Sequence, residues 1–288
     1  MSCVSISWSP RRSVYDGGMN RYSKTFAALQ SQSRSVRLLN YIRPNILATP
    51  FYKLMLPSQR RGIVSVDGIR LYLDPASHLG HTVLTAGYYE PDTVAVLRQH
   101  IKPGNVVLDI GANEGVMSAY AASLVGRTGC VVAVEPQSRL LDVLEINLAL
   151  NSTGSYQVVH GAVSDHDGPV TVSLSAEGNT GASSIVQKYR WSRKTESVPA
   201  YTIEKLAKAC NLTSIDFVKI DVEGYEPEVL KSLLGSRQKI GKVLVDYHTA
   251  ILENRGINPE TPHNNMLKSG YNTLLGSLSG GYVLYALA

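Results

Sequence analysis

The chain has 288 residues, 44% of them hydrophobic and 18% charged, which excludes global disorder and suits one sizeable globular domain with an appendage, or two small domains. Its three cysteines, Cys3, Cys130 and Cys210, lie far apart, which argues against a disulfide framework or a structural zinc site and for a reducing compartment. The net charge of +5 is uneven: residues 1–62 hold ten basic side chains against Asp16, a net of +9, whereas residues 63–288 hold 18 basic and 22 acidic side chains, a net of −4. A nucleic-acid binder carries its basic stripe on the folded body, and this body is acidic, so no nucleic-acid partner is expected.

Residues 1–18 are polar and aperiodic and read as an unstructured lead. Between residues 22 and 56, spaced apolar side chains (Phe26, Leu29, Val36, Leu38, Leu39, Ile42) among arginines predict one or two short helices, broken at Pro44 and Pro50. The expected organisation is therefore a basic arm over 1–62 and a main domain over 63–288. The arm fits three descriptions: a helix packed on the domain, a helix lying on a membrane surface, or an organelle transit segment rich in Arg and Ser. No apolar run reaches the roughly 18 residues that span a bilayer. The expected location is cytoplasmic, with organelle targeting as the alternative.

From Ile63 the texture changes. Ile63–Val66 and Ile69–Leu73 flank Asp67-Gly68, a hairpin signal. A helix is predicted over Thr93–His100. Strand and helix patterns then alternate: a strand over Val106–Asp109, a helix over Val116–Leu124, a strand over Cys130–Glu135, and a helix carrying Leu140, Leu141, Leu144 and Leu148. A third strand covers Gln157–Val159. Ile203, Leu206, Ala207 and Cys210 keep helical spacing behind Thr202, a plausible cap. A fourth strand covers Ile215–Asp221, Pro227 stands near the start of the next helix, and Val243–Val245 make a fifth strand. Asn272–Leu275 and Tyr282–Leu287 fit a terminal hairpin. The polar stretch 176–198, with Lys188, Arg190, Trp191, Arg193 and Lys194, reads either as a substrate lid or as a solvated loop. The expected fold is α/β: a Rossmann-like, doubly wound, mostly parallel sheet with a C-terminal antiparallel hairpin.

In such a sheet ligands bind beyond the C-terminal strand ends. The first strand ends at Asp109, and Gly111 and Gly115 follow in a D-x-G-x-x-x-G pattern, where glycine lets the chain turn sharply against a ligand. The second strand ends at Glu135, placed to accept hydrogen bonds from both hydroxyls of a ribose. A dinucleotide site prefers G-x-G-x-x-G, because a pyrophosphate needs a close helix N-terminus. Here Asp109 and Glu114 flank the turn, and carboxylates repel a pyrophosphate. They suit a cationic, phosphate-free nucleoside such as S-adenosylmethionine. The rival ligand is a nicotinamide dinucleotide, which would make the chain an oxidoreductase. A second rival is a member that binds the cofactor without catalysis.

Several segments together resemble the FkbM-type methyltransferases. Val107–Gly115 is similar to their first motif and Ala133-Val134-Glu135-Pro136 to their second. Ala162-Val163-Ser164-Asp165 with Asp167-Gly168 resembles the segment after their third strand. Ile215–Glu226 with Val229-Leu230-Lys231 resembles their signature around the fourth strand, and Gly87–Pro91 an element that precedes the fold. The resemblance spans residues 63–288. It implies a class I methyltransferase fold, S-adenosylmethionine as cofactor, and methyl transfer to a hydroxyl of a sugar, glycan or secondary metabolite. The implied cofactor residues are Glu90, Asp109, Gly111, Asn113, Gly115, Glu135, Ala162, Val163 and Asp221. Members often carry Glu two residues before the histidine at the fifth strand, whereas this chain has Asp246-Tyr247-His248.

Transfer to a hydroxyl needs a group that takes the proton. Asp221 and His248, at the ends of the fourth and fifth strands, can each serve, and His248 is favoured because a free imidazole titrates near neutrality. Glu223 is the third catalytic candidate, and Asp221 and Glu223 read equally as a pair that orders the strand-to-helix turn. Asp221, Glu223 and His248 also have the chemistry to hold Mg²⁺ or another divalent ion, but the sequence does not require a metal and none is expected.

Overall fold

The structure, a computed structural model, describes residues 61–176, 179–187 and 194–288. The predicted arm helices, and Lys188 to Arg193 of the polar stretch, lie outside the described residues.

The chain enters through a hairpin, β1 (Gly62–Val66) and β2 (Ile69–Leu73), closed by Asp67 and Gly68. Both turn residues have positive φ, as a two-residue hairpin turn with the right-handed strand twist requires. Helices α1 (His78–Ala86) and α2 (Pro91–His100) follow. Then come β3 (Val106–Ile110), α3 (Val116–Val125), β4 (Cys130–Glu135), α4 (Leu141–Asn151) and β5 (Ser155–His160). A small sheet is built from β6 (Ala162–Val163), β7 (Gly168–Ser173) and β8 (Thr195–Tyr201). The main sheet resumes through α5 (Ile203–Ala209), β9 (Ser214–Ile220), α6 (Glu226–Leu234) and β10 (Lys239–Asp246). Helices α7 (Thr249–Asn254) and α8 (Glu260–Lys268) lead to the final hairpin, β11 (Tyr271–Gly276) and β12 (Tyr282–Leu287).

Seven strands form the main sheet in the order β11-β12-β10-β9-β3-β4-β5. The five from β10 to β5 are parallel and β12 runs antiparallel to β10. The fold is thus the expected Rossmann-like, doubly wound, mostly parallel sheet with an antiparallel hairpin at the C-terminal edge, its strand order reversing between β3 and β9.

Strand alternation sorts the core into two layers. Leu108, Ile110, Val132, Val134, Val218 and Ile220 face α5 and α6, where Leu206, Val229 and Leu233 meet them. Val107, Val131, Ala133 and Phe217 face the other way, onto Leu97, Ala119, Ala122, Leu144 and Leu148 of α2, α3 and α4. Burying each such aliphatic side chain contributes roughly 1.5–3 kcal/mol. Asp109 and Lys219 share the parity of this second layer, which carries two charged groups below the sheet's C-terminal edge. As expected, Thr202 caps α5, its side chain accepting from the Lys205 N–H.

The β1–β2 hairpin is clipped to α4. Asn147 Oδ1 accepts from the Tyr72 N–H at 2.6 Å, and Asn147 Nδ2 donates to the Glu114 carbonyl at 2.6 Å. One buried amide therefore ties hairpin, helix and the β3–α3 loop together. Among the described residues no helix is long and apolar enough to cross a membrane.

The tightest point of the frame is Gly111, with φ +83°. A Cβ there would lie 1.8 Å from the Asp221 carbonyl oxygen. Gly68 has the same φ of +83° but open space around it. In urea unfolding, Gly111→Ala should therefore lose about 2–4 kcal/mol, from overpacking and backbone strain together, and Gly68→Ala only about 1 kcal/mol. Equal losses at the two positions would refute the close approach of β3 and β9 at this loop.

Candidate functional site

A pocket opens over the C-terminal ends of β4, β3, β9 and β10. Its floor and one wall are apolar, from Ile110, Val134, Ala162, Val163, Val172 and Ile185. Its carboxylates are Glu90, Glu135, Asp221, Glu223 and Asp246.

At one end stands Glu135, the last residue of β4 and 2% exposed. Its Oε2 accepts from the Asn113 N–H at 2.7 Å and its Oε1 from the Gln137 N–H at 2.9 Å. Burial pushes its pKa up to about 7, while those backbone N–H groups pull it down. Asn113 reaches this position through φ +51°, and its side-chain oxygen accepts from Thr180 Oγ1 at 3.0 Å. Gln137 donates to the Thr180 carbonyl at 3.1 Å, and Ser183 donates to Gln137 Oε1 at 2.8 Å. Residues 179–187 of the polar stretch thus cover the Glu135 end of the pocket. Lys194, from the same stretch, is exposed just before β8.

Of the residues expected at the cofactor, Glu90, Gly111, Asn113, Glu135, Ala162, Val163 and Asp221 line this one pocket. Asp109 and Gly115 lie outside this lining. Asp109 is 2% exposed and its Oδ2 accepts from Ser118 Oγ on α3. Gly115 begins α3 with φ +85°, where a Cβ would meet Leu144 Cδ1 at 2.6 Å. Both shape the loop from beneath. Glu114 also turns away: it is 1% exposed and paired with Arg61, Nη1 to Oε2 at 2.7 Å. The acidic character facing a ligand comes from elsewhere. Glu90 supplies part of it, held at φ +43° before α2, with burial raising its pKa.

Under the middle of the pocket lies Lys219, 5% exposed. Its Nζ is 3.1 Å from Asp221 Oδ2 and 3.8 Å from Asp109 Oδ1. Burial works against its charge, but Asp221, Asp109 and Glu90 outweigh burial and raise its pKa. In return, and despite burial, Lys219 and His248 hold Asp221 below the ordinary carboxylate range.

At the far end His248 is clasped on both sides. Nδ1 is 2.9 Å from Glu226 Oε1 and Nε2 is 3.3 Å from Glu223 Oε2, with Asp221 Oδ1 at 3.9 Å. Glu226 is fully buried as the first residue of α6, where the helix terminus favours its charge, and it also accepts from the Gly224 N–H at 2.9 Å. Burial opposes a charged ring, yet the hydrogen bonds to Glu223 and Glu226 prevail and hold the His248 pKa up to about 11. Both ring nitrogens of His248 thus face carboxylates, in place of the free imidazole expected from the sequence. Asp221, Glu223 and His248 do converge, with one donor atom from each within 4.8 Å of the others. Nε2 of His248 is ion-paired with Glu223 and lies 3.9 Å from Asp221, so the three side chains form one cluster.

Asp246, at the end of β10, was given no role from sequence. It lines the pocket half-buried, and among the described residues its carboxylate makes no hydrogen bond or ion pair. Glu226, Lys219 and Gln137 were likewise missed as working groups. A lysine within the apolar run Phe217–Ile220 of a central strand, two residues before Asp221 and therefore on the same face, was the available signal for Lys219.

A family model described as the methyltransferase FkbM domain matches residues 109–267. The chain belongs to the FkbM methyltransferase family. The match takes in Asp109, Glu135, Lys219, Asp221, Glu226, Asp246 and His248, and so spans most of the pocket of this family member. Among curated relatives, a hexuronic acid methyltransferase of Haloferax volcanii is 24% identical over 56% of this chain and 64% of its own length. A protein-L-isoaspartate O-methyltransferase of Arabidopsis thaliana is 33% identical over 26% of this chain and 33% of its own length. The chain therefore spans between a third and two thirds of the length of these relatives. Among solved structures, Aeropyrum pernix fibrillarin with bound S-adenosylmethionine superposes with a TM-score of 0.42 at 12% identity, over 68% of this chain and 74% of that one.

The clasp on His248 has a pH signature. Its pKa is 6.5 unperturbed and about 11 when folded, so its contribution to stability is complete below about pH 6.5 and fades as pH rises towards 11. The stability difference between wild type and His248→Gln in urea should narrow from pH 7 to pH 10. A difference that stays constant or widens would show that the ring is not held as a cation.

Proposed function

We propose that this chain is an S-adenosylmethionine-dependent methyltransferase acting on a hydroxyl of a sugar, glycan or other hydroxylated metabolite. The observation that carries the proposal is the charge of the pocket: carboxylates at both ends, an apolar wall between them, and, among the described residues, Lys219 and His248 each already paired with carboxylates. Such a wall attracts a ligand with ammonium and sulfonium charges and repels a pyrophosphate. Glu135, buried at the end of the second strand of the Rossmann unit, suits the two ribose hydroxyls. Ala162, Val163 and Val172 offer an apolar bed for a purine. When bound, S-adenosylmethionine supplies an electrophilic methyl carbon on sulfur. The protein's part is to hold the two reactants in line and to receive the acceptor proton.

The same charge bears on the acceptor. Asp221, Glu223 and Asp246 sit together at the end away from Glu135, which disfavours an anionic substrate and favours a neutral hydroxyl compound. The relative named for a hexuronic acid agrees with a sugar acceptor, while the wall of this pocket argues for an uncharged one. The acidic body gives no reason to expect a nucleic-acid partner.

Calorimetric titration tests the cofactor. S-adenosylmethionine should bind and NAD should not. Glu135→Gln should weaken binding roughly 10- to 100-fold, the loss expected when a charged acceptor of two hydroxyl bonds becomes neutral. Because the ionised Glu135 is the form that accepts those bonds, affinity should rise as pH passes through about 7. Tighter binding of NAD than of S-adenosylmethionine would reverse the assignment.

A further inference from the structure

The geometry points to Asp246 as the general base that takes the proton from the acceptor hydroxyl. The inference rests on the methyltransferase reading above and adds a residue that the sequence left without a role.

Position is the first argument. Val245 pairs with Ile220 in the parallel register, so Asp246 and Asp221 emerge side by side from neighbouring strands. From Glu135 on β4 the sheet runs through β3 and β9 to Asp246 on β10, three strand spacings or about 14 Å. With a ribose at Glu135, the space above β3 and β9 lies next along the ligand, and Asp246 stands beyond it on the side from which an acceptor approaches.

Availability is the second argument. Every other carboxylate of the pocket has a partner. Glu135 accepts two backbone N–H bonds, Glu90 shares a hydrogen bond with Tyr89, Asp221 holds Lys219, and Glu223 holds His248. His248 has both ring nitrogens engaged with carboxylates. Asp246 makes no such bond among the described residues.

The surroundings also poise it. Burial raises the Asp246 pKa first and the Asp221 carboxylate next, with Glu90 adding a little, while His248 and Lys219 lower it; the balance stands at about 6. Tyr282 of β12 is the remaining neighbour in register. A base that is mostly ionised at neutral pH, yet less acidic than an ordinary carboxyl, suits proton abstraction from an alcohol. In the step, the acceptor oxygen forms its bond to the methyl carbon, the carbon–sulfur pair stays with sulfur, and the hydroxyl proton passes to Asp246 and then to water.

The test uses the full chain, S-adenosylmethionine with a tritiated methyl group, and a panel of neutral mono- and oligosaccharides. Asp246→Asn should bind the cofactor within about threefold of wild type by calorimetry, yet transfer label about 10²- to 10⁴-fold more slowly. Asp246→Glu should recover part of the rate. The wild-type rate should fall on the acid side with an apparent pKa near 6, and that limb should disappear from the residual rate of Asp246→Asn. Full transfer by Asp246→Asn would overturn the assignment alone. A wild-type chain that binds the cofactor but labels nothing in the panel would overturn both the sugar-hydroxyl reading and the base. An Asp246→Asn protein that has lost cofactor affinity in proportion to rate would assign the residue to binding instead.

Discussion

Lys219 is buried beneath the pocket with one carboxylate on either side, and the geometry of the site follows from that arrangement. An unpaired ammonium at this depth is too costly to keep, so Asp109 and Asp221 must both stay close. Asp109 belongs to β3 and Asp221 follows β9, so the ion pairs hold together the two strands between which the sheet reverses its order. The same reversal opens the crevice that receives the ligand. Removing the lysine would leave two like charges facing each other under the loop. Removing either acid would leave a buried cation half-satisfied, which is the more expensive half of a broken pair.

Charge within the pocket is then divided by function. The Glu135 end is built from backbone N–H donors and a covering segment of uncharged polar side chains, Thr180 and Ser183 among them. The other end is built from full charges: His248 between Glu223 and Glu226, Asp221 on Lys219. Fixed ion pairs of this kind need no rearrangement when a cation enters, and this is the sense in which a site is electrostatically prepared. Asp246 is the exception, a carboxylate left without a partner among neighbours that all have one.

The parallel sheet was legible because its strands are short apolar runs separated by helices of plain 3.6 periodicity, and the Thr202 cap was legible because capping is local. The pocket wall was legible where a residue ends or closely follows a strand: Glu135 ends β4, Asp221 follows β9, and His248 stands two residues beyond β10. What the sequence hid depends on contacts distant along the chain. Nothing near Glu114 announces that Arg61 neutralises it, so its charge was assigned to the ligand. Nothing in the sequence around His248 reveals that Glu226, 22 residues away, takes its Nδ1, so it looked like a free base. Helix α1 was missed because its apolar contacts, Leu79, Val83 and the partly buried Leu84, are few and interleaved with Gly80, His81, Thr82 and Thr85. The small sheet of β6, β7 and β8 was missed because its strands are interrupted by Pro169 and Pro199 and are separated by the polar stretch.

One further contact bears on how this enzyme family member could diverge. Tyr247 hydrogen-bonds Tyr285 of β12 at 2.9 Å, and Tyr285 in turn contacts His263 of α8 at 2.6 Å. Tyr247 is the residue between Asp246 and His248. The terminal hairpin therefore backs the Asp246–His248 end of the pocket, while the Glu135 end is built by the first half of the sheet. On the proposed placement of cofactor and acceptor, a substitution in the terminal hairpin would reach the acceptor end through Tyr247 and leave the Glu135 end in place.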